Sequence, residues 1–250
     1  SLEYIILMLQ NEPLLSRNIL KEIKYIKDKL PSIHVSTSTN GYHLSNDFLF
    51  ELADAGLDSI VFSINGLTKN SFEAIERGLS FEVVDQNLRK LIENKPSNLK
   101  VVVKAMVIKS NAVELGLPEK FSEIPKLLAE KNIPFDISPI SNRAGSLISY
   151  DDQIVFDHLQ SSKQKIICSD IFNKINILFN GDVIACCADW NRESVLGNLA
   201  KSNIEKVLLG SESRLRREAI LRGEYNKLSP CKSCSQAKNI LQNLKNGQYE

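Results

Sequence analysis

Ser59-Ile-Val-Phe-Ser-Ile-Asn-Gly66 decides how this 250-residue chain is read. Ile60, Val61, Phe62 and Ile64 form a short apolar run that stops on an Asn-Gly turn pair. Such a run, bounded by turn residues, suits a strand buried in a parallel sheet. The unit before it repeats the pattern. His34–Thr39 is a strand ended by Asn40-Gly41, and Ser45 caps a helix that runs through Ala55 to a stop at Gly56. Earlier still, Tyr4–Leu9 is continuously apolar, as expected of a strand buried on both faces. Pro13 stops it, and Leu15, Ile19, Ile23, Ile26 and Leu30 then recur at helical spacing before Pro31. Downstream, helices are expected at about 70–77 and 82–94, a long strand at Lys100–Ile108, a helix near 120–131 and a strand at Phe135–Pro139.

Strand and helix therefore alternate over the first 140 residues, with short loops. Parallel strands joined by helical crossovers give a barrel or an open doubly wound sheet. Five strands are too few for an intact eight-stranded barrel. No G-x-G-x-x-G follows a strand, so a dinucleotide fold has no support. A partial TIM-like barrel fits best. The composition shifts after Gly145, which divides the chain into 1–145 and 146–250. The second part reads as a possible short helix at 151–160, a hairpin within Asn176–Ala185 turning on Asn180-Gly181-Asp182, and helices at about 203–209, 211–222 and 237–245.

All five cysteines lie after residue 167. Cys231-Lys-Ser-Cys234 is a C-x-x-C, Cys186 follows the hairpin, and Cys168 precedes it. Clustering of this kind favours metal binding in a reducing compartment over a disulfide framework, and a cytoplasmic protein. Thiolates are soft ligands, so zinc and iron–sulfur clusters are both open from spacing alone. Cys187 would point away from Cys186 if the strand continued, and reads as a small buried residue. His34, His43 and His158 share no metal spacing. Net charge is +1, so no nucleic-acid footprint exists. No apolar run of about 18 residues is present, and no membrane span or signal peptide is expected. The run Ser213-Arg-Leu-Arg-Arg-Glu218 reads as a solvated helix face.

Ligands of parallel α/β folds bind at the carboxyl ends of strands. The segments there carry a resemblance. Asn11-Glu-Pro-Leu-Leu15 resembles the Gly-Glu-Pro-Leu-Leu segment of radical S-adenosylmethionine (AdoMet) enzymes. Ser38-Thr-Asn-Gly41 resembles their next strand end, and Ser63-Ile-Asn-Gly66 with Arg77-Gly78 is similar to their Ser-Leu-Asp-Gly segment and later Arg-Gly. Ser141-Asn-Arg-Ala-Gly145 recurs in one branch of that family. Cys168-x12-Gly181-x4-Cys186 followed by Cys231-x2-Cys234, with Asp189-Trp-Asn191 and Leu196-Gly-Asn198, is similar to the SPASM/twitch domain that carries auxiliary iron–sulfur clusters.

The resemblance implies a partial (β/α)6 barrel lacking its first β/α unit, with a C-terminal SPASM/twitch domain of a hairpin and helices. It implies Cys168, Cys186, Cys231 and Cys234 as ligands of one auxiliary 4Fe–4S cluster. It places Glu12 beside the methionyl amino group of AdoMet and Ser63 near the cofactor's polar groups, with Ser38, Asn40 and Asn65 as further contacts. Lys104, which interrupts an apolar strand, either snorkels to solvent or meets an anion in the barrel mouth. Arg143 stands on the rim as a partner for a cofactor or substrate anion. The family's C-x-x-x-C-x-x-C loop is absent, since no cysteine precedes Cys168. The expectation is a truncated sequence, whose second 4Fe–4S cluster belongs only to the full-length protein. The implied reaction is hydrogen abstraction from an unactivated carbon by a 5′-deoxyadenosyl radical, with a reductant such as flavodoxin or ferredoxin. A peptide maturase is favoured. Dehydrogenation of a sugar or aminocyclitol alcohol is the alternative, and a metal-stabilised binding protein without AdoMet cleavage is the reading from another class.

Overall fold

The computed structural model describes residues 2–107, 123–139, 142–147 and 167–245. Contacts divide the chain between residues 140 and 141 into two compact units. Asn142–Gly145 thus goes with the second unit.

The first unit is a five-stranded parallel sheet in the order β1-β2-β3-β4-β5. Its strands are β1 (Tyr4–Ile6), β2 (His34–Thr39), β3 (Ser59–Ser63), β4 (Lys100–Val107) and β5 (Phe135–Pro139). Among the described residues five helices accompany them: α1 (Ile19–Lys29), α2 (Asn46–Asp54), α3 (Lys69–Ile75), α4 (Phe81–Asn94) and α5 (Glu123–Glu130). Period-two alternation settles which side of the sheet is covered. Val35, Ile60, Phe62, Val103 and Ala105 are fully buried, as are the apolar stripes of the helices, Ile23, Leu52, Leu88 and Leu128 among them. The intervening residues Ser36, Ser38, Val61, Ser63, Lys104 and Met106 stand half-buried on the opposite face. Gly41 closes β2 at φ +77, where a Cβ would lie 2.0 Å from the Phe62 ring. Only glycine allows the chain to turn over that ring.

Two expectations need correcting here. The strand Tyr4–Leu9 is not buried on both faces. It keeps strand geometry only over Tyr4–Ile6 at the edge of the sheet, and Tyr4 and Ile6 are 60% and 57% exposed. An edge strand pairs on one side only, and among the described residues nothing covers its outer face. The helix after Pro13 starts at Ile19, because Pro13–Leu15 forms a separate 3-10 turn anchored by Glu12.

The second unit is built on a three-stranded antiparallel sheet, β6 (Asn176–Ile177), β7 (Asp182–Ile184) and β8 (Val195–Asn198). Among the described residues four helices join it: α6 (Asp170–Asn173), α7 (Ile204–Leu208), α8 (Ser211–Leu221) and α9 (Ser235–Lys245). The expected hairpin is β6–β7. The short helix expected at 151–160, Ile108 and His158 lie outside the described residues. Among the described residues no helix is long and apolar enough to cross a membrane.

Candidate functional site

In the first unit the candidate residues cluster at strand ends. Glu12 follows β1 and works hard on its own loop. Its Oε1 accepts from Leu14 N at 3.2 Å and from Thr39 Oγ1 at 2.7 Å, and its Oε2 accepts from Asn40 N at 2.9 Å. A carboxylate has about four acceptor positions, so three protein donors leave room for an ammonium. Asn40 turns its Oδ1 back to Tyr42 N at 3.0 Å, which closes a local turn. Asn65 is 2% exposed. Its Oδ1 accepts from Met106 N at 3.0 Å, and its Nδ2 donates to Glu76 Oε1. Its amide therefore joins the loop after β3 to β4 and to the end of α3.

Ser38, Ser63 and Lys104 share the uncovered face of the sheet. Register sets Ser38 beside Val61, Ser63 beside Lys104, and Lys104 beside Asp136. Lys104 Nζ is 3.3 Å from Asp136 Oδ2 in a half-exposed pair. Exposed pairs are weak, about 0–1 kcal/mol, so an incoming anion can displace the aspartate at little cost. Arg143 belongs to the second unit, with its guanidinium 4.0 Å from the centre of the Trp190 ring.

The second unit contains a cavity of about 190 Å³ whose wall includes all five cysteines, with Asp170, Arg216, Tyr225 and Ser235. Each of the four spaced cysteines is held by its own device. Cys168 N donates to Tyr225 Oη at 3.0 Å. Beyond β7, buried Asp189 accepts from Glu193 N at 3.0 Å, Ser194 N at 2.7 Å and Ser194 Oγ at 2.5 Å. That fixes the loop carrying Cys186. Cys231 and Cys234 sit on a 3-10 turn, Cys231–Ser233. This turn is clasped by Asn142, which is 1% exposed. Asn142 Nδ2 donates to Ser233 O at 2.8 Å, and its Oδ1 accepts from Ser235 N at 3.0 Å. Arg143, Ala144 and Gly145 follow, all at positive φ, and a Cβ on Gly145 would lie 2.6 Å from Ser233 Cβ.

Ionisation is resisted along most of this wall. Burial, then the neighbouring Cys234 and Cys168, pushes the Cys231 thiol up to about 11, with Arg216 opposing. Burial and the same cysteines raise Tyr225. A hydrogen bond between Cys186 and Cys187 brings Cys187 down to about 7 and raises Cys186, while burial works to raise both. Thiols that oppose each other's ionisation are relieved by a cationic centre, which deprotonates its ligands outright.

The donor set fits a polynuclear cluster better than zinc. Tetrahedral zinc with Zn–S near 2.3 Å draws its sulfurs to about 3.8 Å apart. Among the described residues, the group of three or more ligand atoms lying within 4.8 Å of one another is Asp170, Cys186 and Cys187, not the four spaced cysteines. A cavity of 190 Å³ also far exceeds the ~10–15 Å³ that one water-sized occupant needs.

Two readings are corrected by this arrangement. β7 ends at Ile184, so alternation stops before the cysteine pair, and Cys187 lines the same cavity as Cys186. The run Ser213–Glu218 is not a uniformly solvated face. Ser213, Arg216, Arg217 and Ile220 fall at helical spacing on one side of α8. The Arg216 side chain is only 11% exposed and Arg216 Nη1 donates to Ser229 O at 2.6 Å, while Arg217 Nη1 donates to Leu208 O at 2.7 Å. Asn142, Asp170, Arg216 and Tyr225 were not singled out from sequence. Ile220, four residues after Arg216 and buried on the same side of the helix, was the available signal for Arg216.

Asn142→Ala should loosen the ligand turn. It leaves Ser233 O and Ser235 N without their buried partner, at about 1–3 kcal/mol. The variant is expected to melt lower and to lose bound metal faster on dialysis, read by thermal unfolding and metal analysis.

Residues 3–112 match the family model described as the Radical SAM superfamily, and residues 168–235 match that of SPASM, an iron–sulfur cluster-binding domain. A search of curated proteins found no match. Among solved structures, BtrN in complex with AdoMet and 2-DOIA is 19% identical, with a TM-score of 0.57, over 93% of this chain and 72% of that one. The anSMEcpe structure with bound AdoMet is 11% identical, with a TM-score of 0.62, over 99% and 81%. SuiB of Streptococcus suis, bound to its precursor peptide SuiA, is 17% identical with a TM-score of 0.62, over 94% of this chain and 59% of SuiB. At such identities the likeness is one of fold.

Proposed function

Because this chain belongs to the radical SAM superfamily and carries a SPASM domain, we propose that it serves hydrogen abstraction from a peptide, as a maturase. The cavity lined by five cysteines carries this reading, because it supplies a thiolate site for an auxiliary 4Fe–4S cluster. When bound, AdoMet and a reduced 4Fe–4S cluster other than the auxiliary one would supply a 5′-deoxyadenosyl radical, which takes hydrogen from an unactivated carbon. The residues of this chain bind and orient. Glu12 offers its remaining acceptor positions to the methionyl ammonium, held in place by Thr39 and Asn40. Ser38 and Ser63 offer hydroxyls on the uncovered face, and Lys104 offers a cation there once Asp136 releases it. Asn40 and Asn65 act by shaping the loops beneath those contacts. Cys168, Cys186, Cys231 and Cys234 hold the auxiliary cluster, whose potential answers to nearby charge and hydrogen bonds. A reductant such as flavodoxin or ferredoxin would supply electrons, in a cytoplasmic setting.

A peptide substrate is supported by SuiB and anSMEcpe, whose structures contain SuiA and the Cp18Cys peptide. BtrN, bound to 2-DOIA, supports the second reading, oxidation of a sugar or aminocyclitol alcohol. The third reading is a metal-stabilised binding protein without AdoMet cleavage. One experiment separates them. The full-length product of the gene, reconstituted anaerobically with iron and sulfide, is given AdoMet, dithionite and either a candidate short peptide or an aminocyclitol. Formation of 5′-deoxyadenosine with loss of a hydrogen pair from the peptide is the expected result. Oxidation of the aminocyclitol alone establishes the second reading, and AdoMet left intact establishes the third.

A further inference from the structure

The cavity holds five thiols, whereas a cuboidal cluster with full cysteine ligation takes four. The surplus is local. Cys186 Sγ, Cys187 Sγ and an Asp170 carboxylate oxygen all lie within 4.8 Å of one another. Cys187 Sγ donates to Asp170 Oδ2 at 3.7 Å, and Cys186 Sγ accepts from Ala188 N at 3.4 Å. Asp170 is itself fixed by Lys174 Nζ at 2.9 Å. Because β7 stops at Ile184, the two adjacent thiols turn into one cavity rather than to opposite sides of a strand. No other position in the set has a neighbouring spare: Cys168 stands alone in sequence, and Cys231 and Cys234 are separated by two residues.

We propose that Cys186 and Cys187 are interchangeable ligands for one iron of the auxiliary cluster, with Asp170 as the hydrogen-bond acceptor for whichever thiol is left out. This rests on the reading that the cavity holds an iron–sulfur cluster. The swap is redox-neutral. One iron–thiolate bond breaks and one forms, and the proton of the incoming thiol passes to the outgoing one by way of Asp170. The consequence is an asymmetric cluster in which one iron has a labile thiolate while the other three are fixed.

The test uses the full chain, reconstituted anaerobically with iron and sulfide, as wild type and as Cys186→Ala, Cys187→Ala, the double variant and Cys168→Ala. Iron and sulfide per chain and the electron paramagnetic resonance spectrum of the reduced protein are measured. Both single variants at the pair should keep the wild-type iron and sulfide, with a changed spectrum for Cys186→Ala. The double variant should fall to the level of Cys168→Ala. Cys186→Ala as iron-poor as Cys168→Ala overturns the proposal. A second measurement needs no variant. Prolonged alkylation of the loaded wild type should place one label per chain, divided between Cys186 and Cys187, and a label on Cys187 alone overturns it. A wild type that takes one zinc and no sulfide overturns the underlying cluster reading instead.

Discussion

Replacing Cys231 and Cys234 together by alanine will leave the chain unable to retain iron, and its second unit will lose its cooperative unfolding transition. The buried apolar cluster that borders the cysteines is Ile171, Ala185, Ile220, Tyr225, Ala237 and Ile240. Two of the six are alanines. Cys168, Cys231 and Cys234 pack against this group and complete its wall. The space they surround is the cavity of about 190 Å³. A cluster so small in apolar bulk gains stability from what fills that space, and metal binding free energy then becomes folding free energy. Removing one half of the ligand set removes both. Iron analysis after reconstitution and hydrogen exchange over residues 167–245 give the measurement. A double variant that keeps its full iron would sink the assignment of the C-x-x-C.

Glu12→Ala should weaken AdoMet binding by at least about tenfold, or about 1.4 kcal/mol, and destabilise the first unit by about 2–4 kcal/mol. The stability loss follows from three donors, Leu14 N, Thr39 Oγ1 and Asn40 N, that converge on one carboxylate. Hydrogen bonds to a charged acceptor contribute about 1.5–3 kcal/mol each, and water replaces part of that at this half-buried site. Glu12→Gln keeps the shape but turns an NH2 toward one of the donors, so it should recover only part of the stability and little of the affinity. Calorimetric titration with AdoMet and urea unfolding separate the two effects. Unchanged affinity alongside lowered stability would make Glu12 a loop anchor and nothing more.

Most of the first unit was legible because strand and helix signals agree there. His34–Thr39 and Phe135–Pro139 occupy their expected spans, and Ser45 caps its helix by accepting from Phe48 N. What escaped depends on neighbours. Tyr4 and Ile6 read as core, yet apolar character does not tell an edge strand from a central one. β8 was missed because Val195-Leu-Gly-Asn198 is short and pairs through a register shift at Val183/Ile184. The four spaced cysteines stood out by type and spacing. Cys187, Arg216 and Asn142 did not, since which side chains share a wall follows from where β7 stops, how α8 is rotated and how the 142–145 turn is seated.

That turn has a further implication for anyone editing the chain. Gly145 is far in sequence from every cysteine, yet the space a methyl group would need there is already taken by Ser233, between Cys231 and Cys234. A residue with no donor atom is thus mechanically part of the ligand grip. Its replacement would mimic, in a metal assay, the loss of a sulfur.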